Sequence, residues 1–182
     1  MLYSVNEIFS SIQGEGYWAG RAAVFVRFAG CNLKCPWCDT DHSEKVILHH
    51  WQILDQVSAL WRPGTMIVFT GGEPTIQDLG YLIEYFRPAS QYYIAVETNG
   101  TNPIPKGFDW ITVSPKSPGL YQGDEIKVVL DGKMNPQHFR HQNFKHFYVQ
   151  PCSENFAPAI DFVKENPKWR LSVQMQKVLS IA

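Results

Sequence analysis

The sequence predicts an α/β fold built on a mostly parallel β-sheet. Short, nearly continuous apolar runs rich in β-branched and aromatic residues recur along the chain, and helical patterns separate several of them. Polar or glycine-containing motifs follow most of these runs, and parallel sheets bind ligands at the carboxyl ends of their strands. We therefore expect one domain over residues 1–182 with a ligand site at that edge of the sheet.

Seven runs are predicted as strands because each is short, rich in β-branched and aromatic residues, and in most cases followed by a polar or glycine-containing motif. They are Val24–Phe28, Met66–Phe69, Tyr93–Val96, Ile111–Val113, Ile126–Leu130, Phe147–Val149 and Trp169–Val173.

The first predicted helix covers Leu48–Trp61, since apolar residues recur there at helical spacing. Its stripe comprises Trp51, Leu54, Val57 or Ser58, and Trp61.

Two further helices are predicted from their end signals. One spans Thr75–Phe86, with Thr75 and Asp78 as candidate N-caps. The other spans Phe156–Glu165 and ends before Pro167.

Composition narrows the functional classes. A net charge of −1 argues against a broad nucleic-acid or membrane surface. No run approaches about 18 apolar residues, and the start lacks the basic flank and apolar run of a signal peptide. Three of the four cysteines crowd into one loop, which suits metal better than disulfides. We expect a cytoplasmic protein in a reducing compartment.

The crowded loop, residues 29–40, carries Cys31, Cys35 and Cys38 with C-x3-C-x2-C spacing. Three thiolates can ligate three corners of an iron–sulfur cube and leave the fourth iron open. Structural zinc is the alternative, since His42 would complete a Cys3His site. Zinc modules, however, commonly use paired C-x2-C knuckles.

Two motifs together are similar to those of the radical S-adenosylmethionine superfamily. Trp37 precedes the last cysteine, as in the C-x3-C-x-aromatic-C signature, and Thr70-Gly-Gly-Glu-Pro74 resembles the superfamily's GGE motif. Glycines let backbone approach a ligand, and the Glu73 carboxylate can meet an ammonium group. The resemblance implies a 4Fe-4S cluster and S-adenosylmethionine, whose 5′-deoxyadenosyl radical is the abstracting agent, so no side chain is named as catalytic.

Further motifs resemble the family of 7-carboxy-7-deazaguanine synthases from about residue 5 onward. They are Glu7–Gly16, Arg27, Cys38–Thr40, Glu97–Gly100, Val113–Lys116, Gln150–Ser153 and Trp169–Gln174.

That resemblance implies a carbon–nitrogen lyase of queuosine and 7-deazapurine biosynthesis. Its substrate is 6-carboxy-5,6,7,8-tetrahydropterin, which loses the hydrogen at C6 and then ammonia as the ring contracts to 7-carboxy-7-deazaguanine. The resemblance further implies an abbreviated, incomplete (β/α) barrel, a homodimer, Mg2+ and a flavodoxin-type electron donor.

The substrate contacts that the resemblance implies are Ile12, Gln13, Gly14, Glu15, Arg27, Thr70 and the terminal Ala182. Gln13 and Glu15 suit the donors and acceptors of a pterin edge. Arg27 suits the substrate carboxylate, and its alternative is a structural ion pair with Glu15. Mg2+ is assigned to the Thr40 hydroxyl and a substrate oxygen, with a simple cap as the alternative.

The cofactor contacts that the resemblance implies are Pro36, Trp37, Cys38, Asp39, Gly72, Glu73, Glu97, Ser114, Pro115, Lys116, Gln150, Pro151, Cys152 and Ser153. Each loop taken alone is equally consistent with a plain turn. We interpret Cys152 as a small filler in its loop rather than a cluster ligand.

The chain departs from the family at its tail. Family members commonly have Gln-Thr-His-Lys where this chain has Gln174-Met175-Gln176-Lys177. Gln176 can form hydrogen bonds but cannot titrate near neutral pH as histidine does. Two other functions stay open at this point: a glycyl-radical-enzyme activase, and a zinc or iron–sulfur module without catalysis.

Overall fold

The computed structural model describes residues 1–181, except the side chain of Glu154, so the predicted role of Ala182 lies outside the described residues. Within them a single sheet has the strand order β3-β1-β2-β4-β5-β6-β7-β8-β9. The strands are β1 (Leu2–Ile12), β2 (Ala22–Phe28), β3 (Val46–His49), β4 (Met66–Gly71), β5 (Tyr93–Thr98), β6 (Trp110–Val113), β7 (Glu125–Leu130), β8 (His146–Pro151) and β9 (Arg170–Leu171).

The sheet confirms the predicted α/β class. From β2 to β9 every neighbouring pair is parallel, whereas β1 is antiparallel to both β2 and β3. The sheet stays open between its edge strands β3 and β9, as an incomplete barrel requires.

Within residues 1–181 four α-helices accompany the sheet: α1 (His50–Leu60), α2 (Leu79–Phe86), α3 (Phe156–Glu165) and α4 (Met175–Val178). The bounds of α3 are those predicted. The prediction for the first helix was wrong at its start, because Leu48 lies in strand β3, where it pairs with Tyr3 of β1. Its stripe was right at Val57, which is buried, and at Leu54 and Trp61, which pack against the core, but wrong at Trp51, which is 46% exposed, and it omitted the buried Ile53.

The second helix begins later than predicted. A 3-10 turn covers Pro74–Ile76, and α2 starts only after Asp78, whose carboxylate accepts a hydrogen bond from the Tyr81 amide. The break has a physical reason at Gln77, whose side-chain amide makes two hydrogen bonds with the backbone of Ser4 in β1. Gln77 thereby ties the turn to the sheet.

The last predicted strand, Trp169–Val173, is shortened to Arg170–Leu171. Its pairing with β8 extends only over Tyr148 and Val149. Ser172 still donates its amide to the Val149 carbonyl, but the chain then leaves the sheet toward α4.

Helices α1 and α2 cover one face of the sheet. Phe69, Ile94 and the helix residues Ile53, Leu82 and Phe86 belong to one buried cluster there. A second cluster lies beneath α3. Because side chains alternate along a strand, the intervening residues face the other side, where a smaller cluster leaves room for a cavity. Among the described helices, none has the length and apolar character needed to cross a membrane.

Candidate active site

A cavity of about 600 Å³ opens on the face of the sheet opposite α1 and α2. Five parallel strands, β2, β4, β5, β7 and β8, each contribute a polar side chain to its wall: Arg27, Thr70, Glu97, Lys127 and Gln150. Four of these residues lie next to the last residue of their strands, at the edge where parallel strands end together, and Lys127 lies in the first half of β7. The alternation of side chains therefore builds the floor of the site.

Most residues predicted for the site line this cavity. They are Ile12, Gln13, Gly14, Glu15, Arg27, Cys31, Cys35, Trp37, Cys38, Asp39, Thr40, Thr70, Gly72, Glu97, Ser114, Lys116 and Gln150. Six predicted cofactor contacts are not among its lining residues: Pro36, Glu73, Pro115, Pro151, Cys152 and Ser153.

The cysteine loop brings three free thiols to the cavity. Cys31, Cys35 and Cys38 all line it, and a turn with a Cys38 amide to Cys35 carbonyl hydrogen bond of 3.1 Å holds the last two together. Burial raises the pKa of the Cys35 thiol, and its two neighbouring thiols add to this against the charge of Lys116. Within residues 1–181 no three His, Cys, Asp or Glu side chains are already gathered around one point, and His42 lines the same cavity as the three thiols. Soft thiols spread around one cavity are the donor set of an iron–sulfur cluster.

The two glycines at the end of β4 are required by close packing against the end of β2 and the cysteine loop. A Cβ on Gly72 would lie 2.0 Å from the Gly30 carbonyl oxygen and 2.9 Å from the Cys31 Cβ. Gly71 has a φ of 130° and leaves no room for a Cβ beside Phe28. Both glycines approach the protein's own backbone rather than a ligand. They therefore set the position of Cys31, the first cysteine of the loop.

The structure turns the Glu73 carboxylate into the protein rather than toward the cavity. The residue is fully buried. Its Oε1 accepts hydrogen bonds from the Thr75 amide and hydroxyl and the Thr98 hydroxyl, and its Oε2 accepts from the Asn99 amide. These four donors hold the carboxylate beneath the turn, so Glu73 supports the site from inside the protein, and its contact with a cofactor ammonium group stays a prediction.

A buried lysine that the sequence analysis did not single out lies at the centre of the site. The Lys127 ammonium contacts Glu15 Oε2 and lies 3.0 Å from Glu97 Oε2, and its side chain is only 4% exposed. Gln13 donates to the other oxygen of Glu97 at 2.7 Å. The feature of the sequence that could have identified Lys127 is that it is the one charged residue in the apolar run Ile126–Leu130. Lys127 thus joins a predicted substrate residue to a predicted cofactor residue.

The charges around Lys127 set the protonation of the whole group. Burial alone would lower the pKa of Lys127, but Glu15 and Glu97 raise it far above its usual range. Burial opposes ionisation of Glu15 as well, yet Lys127 and the amides of Gln174 and Gln176 bring its pKa below the usual value. Glu125, two residues before Lys127 on β7, has its pKa raised to about 7 by burial. The Lys127–Glu15 pair is therefore fully ionised at neutral pH.

Arg27 is not paired with Glu15, which was the structural alternative. Its Nε lies 3.1 Å from Glu7 Oε1, and its guanidinium lies over the Phe9 ring at 5.3 Å. In the sheet register Arg27 stands directly beside Thr70. The guanidinium consequently faces the cavity next to a hydroxyl.

The C-terminal segment closes one side of the cavity. Gln174 and Gln176 both donate to Glu15 Oε1, at 2.9 and 3.0 Å. Lys177 forms an ion pair with Asp39, which lies between the last cysteine and Thr40. The segment thereby joins the N-terminal motif to the cysteine loop.

Gln176 also packs closely against a glycine of the N-terminal motif. A Cβ on Gly14 would lie 1.7 Å from Gln176 Oε1, and the Gly14 carbonyl accepts the Met175 amide at 3.0 Å. The glutamine that replaces the family's usual histidine is thus packed into the site.

The remaining wall is built by the loop after β6 and the end of β8. Lys116 donates to Ser114 at 2.6 Å and lies 5.0 Å from the Trp37 ring centre, while burial lowers its pKa. Trp37 in turn donates to Asp131 at 3.1 Å. Gln150 is buried, and its Oε1 has no hydrogen-bond partner among the described residues. A buried acceptor on a cavity wall is suited to a ligand donor.

Comparison with known proteins gives consistent relationships over nearly the whole chain. The family profile of the radical SAM superfamily matches residues 25–127. The chain is 43% identical to the 7-carboxy-7-deazaguanine synthase of Bacteroides thetaiotaomicron and 38% identical to that of Bordetella pertussis, over the full length of both chains in each case. Among solved structures, QueE from Escherichia coli matches with a TM-score of 0.73 at 24% identity, covering 96% of this chain and 95% of that one.

Proposed function

Because the chain belongs to the radical SAM superfamily and, within it, to the family of 7-carboxy-7-deazaguanine synthases, we propose that its cavity converts 6-carboxy-5,6,7,8-tetrahydropterin to 7-carboxy-7-deazaguanine with loss of ammonia. The observation that carries the proposal is a single cavity lined by the three thiols, the Arg27 guanidinium and the Lys127–Glu15 pair. It combines a place for a cluster with groups complementary to a carboxylated pterin.

The cluster would be held by Cys31, Cys35 and Cys38, whose free thiols fit a 4Fe-4S cube with one open iron. With S-adenosylmethionine bound, the cluster supplies the 5′-deoxyadenosyl radical that takes a hydrogen atom from the substrate. Glu97, Lys116 and Gln150 would hold the rest of S-adenosylmethionine.

The remaining predicted cofactor residues act through the backbone or by support. Gly72 sets the distance between its turn and the cysteine loop, and Glu73 fixes that turn from beneath. Pro36, Pro115, Pro151, Cys152 and Ser153 belong to loops that reach the cavity through neighbouring residues.

The substrate would be oriented by its two ends. Arg27 is the cation suited to bind its carboxylate, and Thr70 stands beside Arg27 to donate a further hydrogen bond. Glu15 and Gln13 face its pyrimidine edge. With both ends held, the C6 hydrogen is presented in one orientation, and proximity of this kind supplies a large part of a rate enhancement.

Mg2+ is proposed at the Thr40 hydroxyl together with the substrate carboxylate. Thr40 lines the cavity beside Asp39, to which its hydroxyl donates at 3.4 Å. Few protein ligands and several retained waters are what Mg2+ prefers.

The exposed residues and the cluster thiols support three further proposals, on the electron donor, the oligomeric state and the cellular compartment. Cys38 is exposed, so a small electron donor such as a flavodoxin can approach the cluster. Leu2, Val46 and Ile47 are exposed apolar side chains along the edge of the sheet, which supports a homodimer. A cluster on three thiols needs a reducing compartment, hence the cytoplasm.

The test is anaerobic turnover of reconstituted protein with S-adenosylmethionine, Mg2+, a reductant and the carboxytetrahydropterin. We expect 7-carboxy-7-deazaguanine to form without matching consumption of S-adenosylmethionine. Formation of 5′-deoxyadenosine without any deazapurine would keep the radical enzyme but assign it another substrate, and specific binding of the carboxypterin would argue against the glycyl-radical activase.

Two cysteine variants make the test specific. Cys31→Ala is expected to lose the cluster iron, about four atoms per chain, together with all activity. Cys152→Ala is the matched control and is expected to retain both, because Cys152 does not line the cavity. Loss of iron in Cys152→Ala would contradict the ligand assignment.

A further inference from the structure

The Lys127 ammonium has a hydrogen-bonding capacity that the protein does not fill. An ammonium group has three N–H donors. Two acceptors contact it among residues 1–181, Glu15 Oε2 and Glu97 Oε2. The side chain is 4% exposed and lines the cavity. Since buried donors are nearly always bonded, the third N–H is available to an acceptor on a ligand.

Glu15 has the complementary vacancy on the adjacent atom. A carboxylate offers about four acceptor positions. Gln174 and Gln176 both donate to Oε1, whereas among the described residues Oε2 accepts only from Lys127. A free N–H and a free acceptor position therefore stand side by side on two atoms in contact.

A donor beside an acceptor is the complement of a lactam, in which a carbonyl oxygen is followed by an N–H. We propose that Lys127 is a substrate-contacting specificity residue, which donates to the 4-oxo group of the pterin while Glu15 Oε2 accepts from its N3–H. This assignment rests on the proposed function and extends it. Both substrate and product contain a 2-amino-4-oxopyrimidine ring, so the same pair holds the ring before and after contraction.

The surroundings keep the pair in the ionisation state that this recognition needs. Burial would discharge Lys127, but Glu15 and Glu97 raise its pKa, and Lys127 with the two glutamine amides lowers the pKa of Glu15. Charge-assisted hydrogen bonds discriminate strongly, because a ligand without the matching group leaves a buried charge unpaired.

The experiment measures binding rather than turnover. Reconstituted protein with S-adenosylmethionine and no reductant is titrated with 6-carboxypterin and with its analogue lacking the 4-oxo group. We expect the native chain to prefer the 4-oxo compound roughly 10- to 100-fold. The analogue also lacks the hydrogen on N3, so Lys127→Met should lower that preference by at least about 3-fold and leave the part that Glu15 supplies, whereas Lys145→Met, at a 71% exposed lysine, should leave it unchanged.

The preference ratio separates recognition from structural damage. Removing one partner of a buried ion pair is strongly destabilising, so Lys127→Gln, which keeps an N–H donor, is measured alongside and should retain part of the preference. Equal weakening of both compounds in these variants overturns the inference and leaves Lys127 with a structural role. A native chain that binds both compounds equally overturns it without any variant. A native chain that binds neither overturns the proposed function, and the inference with it.

Discussion

The Glu73 carboxylate and the Thr98 hydroxyl share a buried hydrogen bond of 2.6 Å that joins the end of β4 to the end of β5. The same carboxylate also accepts the Asn99 amide at 2.6 Å. Because these strand ends carry the floor of the cavity, the carboxylate stabilises the frame on which the site is built.

Glu73→Gln is therefore expected to lower the free energy of unfolding by about 2 kcal/mol or more. The substitution replaces one acceptor oxygen with an NH2 group that faces existing donors. Urea unfolding measures the loss, and Glu84→Gln makes the same chemical change on the exposed side of α2, where we expect less than about 0.5 kcal/mol. If the Glu73→Gln protein were as stable as the native chain but unable to bind S-adenosylmethionine, the carboxylate would have to contact the cofactor rather than stabilise the strand ends.

Gly72→Ala is expected to displace the cysteine loop. A methyl group there would lie 2.0 Å from the Gly30 carbonyl oxygen. Because that oxygen belongs to the backbone, the clash cannot be relieved by rotating a side chain, and the cysteine loop itself must move. We expect less than half of the native iron content after reconstitution and a loss of at least about 1–3 kcal/mol in unfolding free energy. Gly80→Ala in α2 is the control, because its Cβ meets nothing closer than 3.5 Å and alanine favours a helix. A full complement of iron in Gly72→Ala would contradict the packing argument.

Arg27→Ala is expected to weaken binding of the carboxypterin about 10- to 100-fold while cleavage of S-adenosylmethionine in the absence of substrate is unchanged. Arg27 faces the cavity from β2, and its ion pair with Glu7 leaves the rest of the guanidinium available. The control uses a pterin without the carboxylate, which the native chain and the variant should bind equally. Equal loss of both activities in Arg27→Ala would show a general structural role.

The extent to which the sequence predicts this molecule differs between elements for physical reasons. Strands β2 and β4 to β8 are continuous apolar runs because both faces are covered, so they are recognisable locally. The strand β1 was missed because adjacent polar residues such as Asn6-Glu7 and Ser10-Ser11 break the alternation that marks a half-buried strand, and β3 because its four residues run directly into α1. Secondary structure at these points depends on pairing partners distant in sequence.

The site divides in the same way. The cysteine spacing is a local signal and predicts the loop that faces the cavity. The role of Lys127 depends on contact with Glu15, 112 residues away, and a lone lysine in an apolar run does not name its partner. Glu73 has the residue type expected of a cofactor contact, but the Thr98 hydroxyl decides which way its carboxylate points.

Lys177→Met is expected to loosen the C-terminal segment. The Lys177–Asp39 ion pair is partly exposed, so we expect about 1 kcal/mol or less, seen as faster hydrogen exchange of the amides of residues 175–181 and a KM for the pterin raised a few-fold. Lys164→Met removes a fully surface ion pair on α3 and should change neither quantity. Exchange rates identical to those of the native chain would show that the Lys177–Asp39 ion pair does not hold the C-terminal segment against the cysteine loop.

The Lys177–Asp39 ion pair should also weaken in acid, when the Asp39 carboxylate becomes protonated. Burial works against ionisation of Asp39, but the hydrogen bonds from Lys177 and Gln174 hold its pKa below the usual value. A carboxyl with a depressed pKa contributes stability that is present above its unfolded pKa and is lost as the pH falls through the folded one. Protection of the tail amides should therefore persist to about pH 4 and disappear below it.

Glu125 gives the fold a pH dependence of the opposite sign. Burial raises its pKa from 4.5 to about 7, against the charge of Lys127, with Glu97 and Glu15 adding to the rise. The stability contributed by the protonated form is fully present below about pH 4.5 and is lost as the pH rises through 7, about 3 kcal/mol in all. Glu125→Gln removes this titration while keeping an acceptor for the Tyr17 amide, so its advantage over the native chain should grow by that amount between pH 5 and 8.5. The half-buried His146, whose pKa is lowered by desolvation and by Arg170, titrates in both proteins and cancels in the difference. Urea unfolding across this range measures it, and parallel stability curves for the two proteins would show that Glu125 ionises with its ordinary pKa.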